Sequence, residues 1–280
     1  MQEAIVDTAW LGENINSPNI RVIDATWYLP NSGKTGFEDY KKEHIPGAVF
    51  WDIDSISDPY SSLPHTMPNE EVFEGHMNAI GISNHHKLIV YDNVKMMTAP
   101  RVWWMLRAFG HNNISVLDGG MIKWQAEQRP ISKALPIMPK TSFSANLNRK
   151  MIRSFEQIEA NLITKEEIIL DARSSGRFEG SEAEPRAGCR PGHIPESLNL
   201  PFNRLIDPQK GTFLPLEKLT KEIKSTALDL EKPVITTCGS GVTACVLALA
   251  LHLLEKKDVA VYDGSWSEWG SKSETPVETK

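Results

Sequence analysis

Two stretches of this chain carry the same punctuation in the same order, which restricts it to folds built from two like units. Val22-Ile-Asp24-Ala, His44-Ile-Pro-Gly47, Leu88-Ile-Val-Tyr-Asp92 and Val116-Leu-Asp118-Gly, then Trp124, return as Leu170-Asp171-Ala, His193-Ile-Pro195, Val234-Ile-Thr-Thr-Cys238 and Val261-Tyr-Asp263-Gly, then Trp269. The offsets are 147 (Asp24 to Asp171), 149 (His44 to His193), 146 (Asp92 to Cys238) and 145 (Asp118 to Asp263), so the copies differ only by loop-sized insertions. Within each copy, apolar runs of four or five residues alternate with helical stretches such as Asn69 to Ile80, Pro100 to Phe109, Ser154 to Leu162 and Thr243 to Leu254. That alternation predicts an α/β fold, a parallel sheet flanked by crossover helices in each unit. Residues 1–137 form the first predicted domain and 151–280 the second. The joining segment 138–150 belongs to a proline-bearing stretch, with Pro130, Pro136 and Pro139, that lacks any sustained period.

Composition narrows the function classes. Of 280 residues, 36 are acidic and 30 basic, a net charge of -6 with no Lys/Arg block, which disfavours nucleic acid and anionic membranes as partners and favours a small-molecule substrate. No apolar stretch reaches the roughly 18 residues needed to span a bilayer, and the opening Met-Gln-Glu-Ala-Ile-Val-Asp is not a basic or Arg/Ser-rich presequence. A cytoplasmic location is the expectation. Cys189, Cys238 and Cys245 fit neither a disulfide framework nor a zinc site, so we expect three thiols, with no metal and no organic cofactor.

The most specific local signal is Pro233-Val-Ile-Thr-Thr-Cys238-Gly-Ser-Gly-Val-Thr243-Ala-Cys245. A strand that ends in cysteine and runs through a glycine-bearing turn into a helix aims backbone N–H groups and the positive end of the helix dipole at the sulfur, favouring a thiolate. Gly239, Ser240, Gly241, Val242 and Thr243 make up that cradle. The repeat then acts as an internal control. Features shared by both copies, namely His44 and His193, Asp24 and Asp171, Trp124 and Trp269, read as structural. Differences point to chemistry: Asp92 stands where the second copy has Cys238, so only one half is nucleophilic there. Aligning Phe37 with Phe178, the second copy has a net insertion of 8 residues before its histidine, carrying Arg186, and Arg177 replaces Gly36. Planar guanidinium groups added only to the cysteine-bearing half suggest recognition of a carboxylate or another anion; surface ion pairs with Glu179, Glu182 or Glu184 are the alternative. Cys245, two helical turns past the nucleophile on an apolar helix, reads as a core residue, whereas Cys189 lies in the insertion and is expected near the surface.

Over nearly its whole length the chain resembles the two-domain rhodanese-like sulfurtransferases, and within them those that use 3-mercaptopyruvate. The matching segments are Trp27-Tyr-Leu-Pro30, His44-Ile-Pro-Gly-Ala48, Asp52-Ile-Asp54, Ala99-Pro-Arg-Val-Trp-Trp104, Gly176-Arg-Phe178, Glu184-Pro-Arg186, Cys238-Gly-Ser-Gly-Val-Thr243 and Tyr262-Asp-Gly-Ser-Trp-Ser-Glu-Trp269. The resemblance implies two tandem rhodanese-like domains, a Cys238 persulfide, Arg177 and Arg186 on the substrate carboxylate, and a Ser240/His65/Asp54 arrangement across the domain interface. It implies 3-mercaptopyruvate as donor, pyruvate as product, and a thiol such as thioredoxin, or cyanide, as acceptor. Thiosulfate enzymes of this kind typically carry basic residues directly after the cysteine, where this chain has Gly239 and Ser240. Read without the resemblance, His65 is a loop histidine and Asp54 a turn or capping residue. Three other readings compete with this one. A thiosulfate sulfurtransferase is disfavoured by the neutral loop, and a non-catalytic rhodanese-like regulatory module by the intact cysteine. A phosphatase of this architecture needs an arginine six residues after its cysteine, where this chain has Ala244.

Overall fold

The computed structural model describes residues 3–30 and 32–280, which divide into two units, each with one five-stranded parallel sheet. In the first, the order is β1 (Ile5–Val6), α1 (Thr8–Asn14), β2 (Ile20–Asp24), α2 (Gly36–Lys42), β3 (Val49–Phe50), α3 (Glu70–Ala79), β4 (Lys87–Tyr91), α4 (Ala99–Ala108), β5 (Ile114–Leu117) and α5 (Gly120–Ala126). The second repeats it as β6 (Ile152–Arg153), α6 (Phe155–Thr164), β7 (Ile168–Asp171), α7 (Ser175–Glu179), β8 (Leu198–Asn199), α8 (Leu216–Lys224), β9 (Val234–Thr237), α9 (Ala244–Leu253), β10 (Val259–Tyr262) and α10 (Ser265–Trp269). Strand orders are β1-β5-β4-β2-β3 and β6-β10-β9-β7-β8, the same winding twice. The first unit also takes in residues 206–213 and the second residues 60–66.

Why the central strands are apolar follows from where they lie. Covered by helices on both faces, β4 and β9 keep no solvent-facing side, and Leu88 to Tyr91 and Val234 to Thr237 are all buried. Each leads directly into the most apolar helix of its unit. In α9 every residue from Ala244 to Leu251 is buried, and in α4 all but Arg107 are. The turn between β9 and α9 is therefore held at both ends by buried residues, and it lies at the carboxyl end of the middle strand of that sheet, where open α/β sheets place their sites. No helix of the described residues is long and apolar enough to cross a membrane.

The shared histidines and tryptophans have matching structural roles, as expected. His44 Nδ1 lies 2.7 Å from the Tyr40 carbonyl and His193 Nδ1 2.7 Å from the Phe178 carbonyl, while their amides donate to Ser132 and Glu278, each at 2.9 Å. Trp124 and Trp269 donate from Nε1 to the carbonyls of Pro130 and Pro276, fastening the segment that closes each unit. One expectation changes. Tyr40 stacks on His44 and Phe178 stacks on His193, so the structural counterpart of Phe178 is Tyr40, not Phe37. Tyr40 precedes its histidine by 4 residues and Phe178 by 15, which makes the insertion 11 residues and aligns Arg177 with Asp39 rather than Gly36. The conserved ring contact, invisible in the residue types, sets the register.

The paired aspartates differ in charge balance. In the second unit Asp171 is matched by the buried guanidinium of Arg173, two residues on. In the first that place is Thr26, whose N–H donates to Asp24 Oδ1, and burial drives the Asp24 carboxyl from 3.8 up to about 6. A raised carboxyl favours its protonated form in the fold, so its contribution is complete below the ordinary carboxylate range and is lost as pH rises through about 6. Ionised at pH 8, it costs about 3 kcal/mol. Asp24→Asn, which keeps the acceptor and removes the charge, is expected to raise the melting temperature by several degrees at pH 8, the gain shrinking as pH falls through about 6 and closing below the ordinary carboxylate value of 3.8. A gain that stays constant over that range would refute this account.

Candidate active site

The loop after β9 is clamped from α10. Ser265 Oγ accepts from the Cys238 amide at 3.3 Å and donates to the Tyr262 carbonyl at 2.7 Å. The amides of Trp266 and Ser267 donate to the carbonyls of Cys238 and Gly239 at 2.9 and 2.8 Å. Apart from the Cys238 amide, the clamp uses the carbonyl side of the loop. Among the described residues, the amides of Gly239, Ser240, Val242, Thr243 and Ala244 find no protein acceptor. Gly241 takes φ +76°, a left-handed conformation that glycine adopts without strain and that lets the chain turn into α9. Cys238 itself is buried, 2% exposed.

The corresponding loop of the first unit shows what such a cradle holds. There Asp92 accepts from the amides of Val94 and Met96 at 3.0 Å through Oδ1, and from those of Thr98 at 2.9 Å and Ala99 at 2.8 Å through Oδ2. Four backbone donors converge on one carboxylate, an anion supplied by the chain itself. Where the second unit has cysteine, the acceptor of those donors is missing from the protein and an anionic sulfur can take its place.

Around Cys238 three expected side chains meet. Ser240 Oγ lies 3.0 Å from His65 Nδ1 and 3.2 Å from Arg186 Nη2, all three residues belonging to the second unit. Arginine only donates, so the Ser240 oxygen accepts from Arg186 and keeps a second lone pair and its own proton with which to meet His65 Nδ1. The His65 backbone has φ +62°, and its ring is buried; strain of this kind is retained where surrounding structure determines the conformation. A Cβ on Gly239 would lie 3.0 Å from Arg177 Nη2 and 3.5 Å from Arg186 Nη1, so both guanidinium groups border the loop and glycine leaves them room. Burial pushes the Arg186 guanidinium below its ordinary value, the Cys238 sulfur opposes that shift, and Arg177 adds to it.

Asp54 stands in the first unit, after β3, where its Oδ2 accepts from Trp27 Nε1 at 3.0 Å. Arg177 engages the ion pair that was the alternative reading. Its Nε and Nη2 bond Glu184 at 3.1 and 2.6 Å, leaving Nη1 without a protein acceptor among the described residues. Sequence reasoning missed the depth of that pair. Glu184 also accepts from Arg173 Nη1 at 2.8 Å, and Arg173 is fully buried between Asp171, Glu184 and the Trp266 ring, its guanidinium carbon 4.3 Å from the ring centre. The available signal was that Arg173, Arg177, Glu184 and Arg186 crowd one short segment. Cys245 is buried and donates from Sγ to the Gly241 carbonyl at 3.3 Å, as its core reading expects. Cys189 is half-buried rather than exposed, and burial together with the Glu184 charge pushes its thiol up.

The chain is similar to known proteins over nearly its whole length. Residues 7–127 and 154–272 each match the profile of the rhodanese-like domain. The chain is 41% identical over 272 residues to the 3-mercaptopyruvate sulfurtransferase of Mus musculus, covering 95% of this chain and 91% of that one. It is also 41% identical over 288 residues to the thiosulfate sulfurtransferase of Rattus norvegicus, covering 100% and 95%. The crystal structure of SseA from Escherichia coli, described among 3-mercaptopyruvate sulfotransferases, superposes with a TM-score of 0.87 at 36% identity, over 95% of this chain and 100% of that one.

Proposed function

The chain belongs to the rhodanese-like family, as two domains in tandem, and from that premise we propose that this sulfur-transferring enzyme moves the sulfur of 3-mercaptopyruvate through a Cys238 persulfide to a thiol acceptor such as thioredoxin, or to cyanide. Relatives acting on either donor are equally similar in sequence, so the choice of donor rests on the site. The observation that carries it is Ser240, bonded between His65 and Arg186 in a loop with no cation of its own. Thiosulfate is a compact dianion that benefits from cations next to its sulfur. Mercaptopyruvate carries one carboxylate several bonds from its thiol, which suits arginines standing outside the loop.

In the proposed reaction the Cys238 thiolate attacks the donor sulfur, an S–S bond forms, and the C–S bond breaks with its electron pair passing to carbon as the enolate of pyruvate. The proton lost from the donor thiol is passed through Ser240 and His65 to that carbon, giving pyruvate, while the outer sulfur remains as a persulfide anion. Unspent amides of residues 239, 240 and 242–244 stabilise that anion, as the Asp92 carboxylate is stabilised in the first unit. Arg186 and the open Nη1 of Arg177 orient the donor carboxylate. The family resemblance implies a catalytic role for Asp54, which precedes His65 by 11 residues. Three free thiols fit a reducing compartment such as the cytoplasm.

Brief exposure to 3-mercaptopyruvate should add about 32 Da to Cys238 by mass spectrometry, the mass of one sulfur. With cyanide as acceptor, kcat/KM on this donor should exceed that on thiosulfate. The reverse order would make the protein a thiosulfate enzyme, and the absence of any adduct would favour a binding module.

A further inference from the structure

The charges beside Cys238 form a row that alternates until its last member. Asp171 pairs with Arg173, Arg173 with Glu184, and Glu184 with Arg177, all at 2.6 to 2.8 Å. Arg186, which follows, has no carboxylate within ion-pair distance among the described residues and bonds Ser240 instead. Three guanidinium charges thus stand against two carboxylates. Glu184 is almost wholly buried, with a side chain 5% exposed, so its charge is little screened by water. It also grips Arg177 by two bonds, which fixes where that guanidinium lies against Gly239.

We propose that Glu184 sets the donor preference by cancelling the charge of Arg177, so that Arg186 remains the single uncompensated cation beside Cys238 and the site matches a donor with one negative charge. Glu184 reaches neither the sulfur nor the donor. It is a positioning and specificity-determining residue acting through Arg177. A dianion gains twice as much as a monoanion from each added positive charge at equal distance, so net charge at this point moves the ratio of the two donors and not merely the rate on one. The inference rests on the mercaptopyruvate reading and is tested so that the two can fail separately.

The experiment measures kcat/KM on thiosulfate and on 3-mercaptopyruvate, with cyanide as acceptor, for the wild type, Glu184→Gln, Arg177→Gln and the double variant. Melting temperatures are taken alongside. Glu184→Gln should raise the thiosulfate-to-mercaptopyruvate ratio about tenfold at low salt, with the shift shrinking as ionic strength rises. Arg177→Gln should lower the ratio, and the double variant should return it toward the wild-type value. A purely structural Glu184 would depress both donors alike and leave the ratio unmoved, and that result overturns the proposal. So does a double variant that keeps the single variant's shift. Should Glu184→Gln fail to fold, Arg177→Gln and the double variant still decide the order. If the wild type takes sulfur from thiosulfate alone, the donor reading falls, and the rank of the variants in thiosulfate kcat/KM judges Glu184 on its own.

Discussion

Cys238→Ser is expected to abolish sulfur transfer, with a loss of at least about 10⁴-fold in kcat and no 32 Da adduct after treatment with 3-mercaptopyruvate. A serine hydroxyl is not ionised at neutral pH and cannot carry a transferable sulfur, while the exchange of one atom in a buried loop leaves its clamps intact: the Cys238 amide and carbonyl, not its side chain, bond Ser265 and Trp266. The protein should therefore fold as before, and near-wild-type melting would separate lost chemistry from lost structure. The two remaining cysteines cannot take over. Cys245 spends its S–H on the Gly241 carbonyl inside α9, and the Cys189 thiol is pushed up by burial and by Glu184. An adduct that persisted in Cys238→Ser would move the sulfur carrier to one of them and undo the assignment.

Arg186→Ala is expected to lower kcat/KM for mercaptopyruvate by about 10²- to 10³-fold, the range for truncating one member of a desolvated, charge-assisted pair. The loss should appear in both KM and kcat. KM rises because a cation beside Cys238 that has no carboxylate partner among the described residues is gone. A fall in kcat is expected because Arg186 Nη2 also holds the Ser240 oxygen that faces His65. Arg186→Lys should recover part of the binding and less of the rate, since a lysine keeps the charge but cannot address the carboxylate and Ser240 with a planar fork. Arg177→Ala should cost less than Arg186→Ala, because half of the Arg177 guanidinium is already engaged by Glu184. An effect of Arg186→Ala confined to KM would place the residue on the carboxylate only and remove its part in positioning Ser240.

Much of this was legible in the chain. The two-fold punctuation led to two parallel α/β units, and the helices expected at Asn69 to Ile80 and Ser154 to Leu162 form at Glu70–Ala79 and Phe155–Thr164 behind Asn69 and Ser154 caps, each shifted by one or two residues. The cysteine loop was readable because strand, turn and helix are contiguous. Arg177 and Arg186 stood out by comparison of the copies, although that comparison used Phe37, and the ring stacked on His44 is that of Tyr40. His65 carried no periodic or compositional signal. Its place beside Ser240, 175 residues away, goes with residues 60–66 belonging to the second unit and with a left-handed backbone that no residue type announces.

By itself the sequence determined the repeated architecture and singled out the proposed nucleophile, since period, adjacency and residue type are local properties of a chain. Only the tertiary structure decided the electrostatics. Asp24 and Asp171 read as equivalents, yet Arg173 matches one and Thr26 leaves the other to be raised to about 6 by burial. Arg177 and Arg186 read as a pair of equal anion binders, yet Glu184 neutralises one and leaves the other to face Cys238 and Ser240. Charge interactions depend on distance through space and on the water excluded from between the partners, and the folded packing alone sets these two quantities.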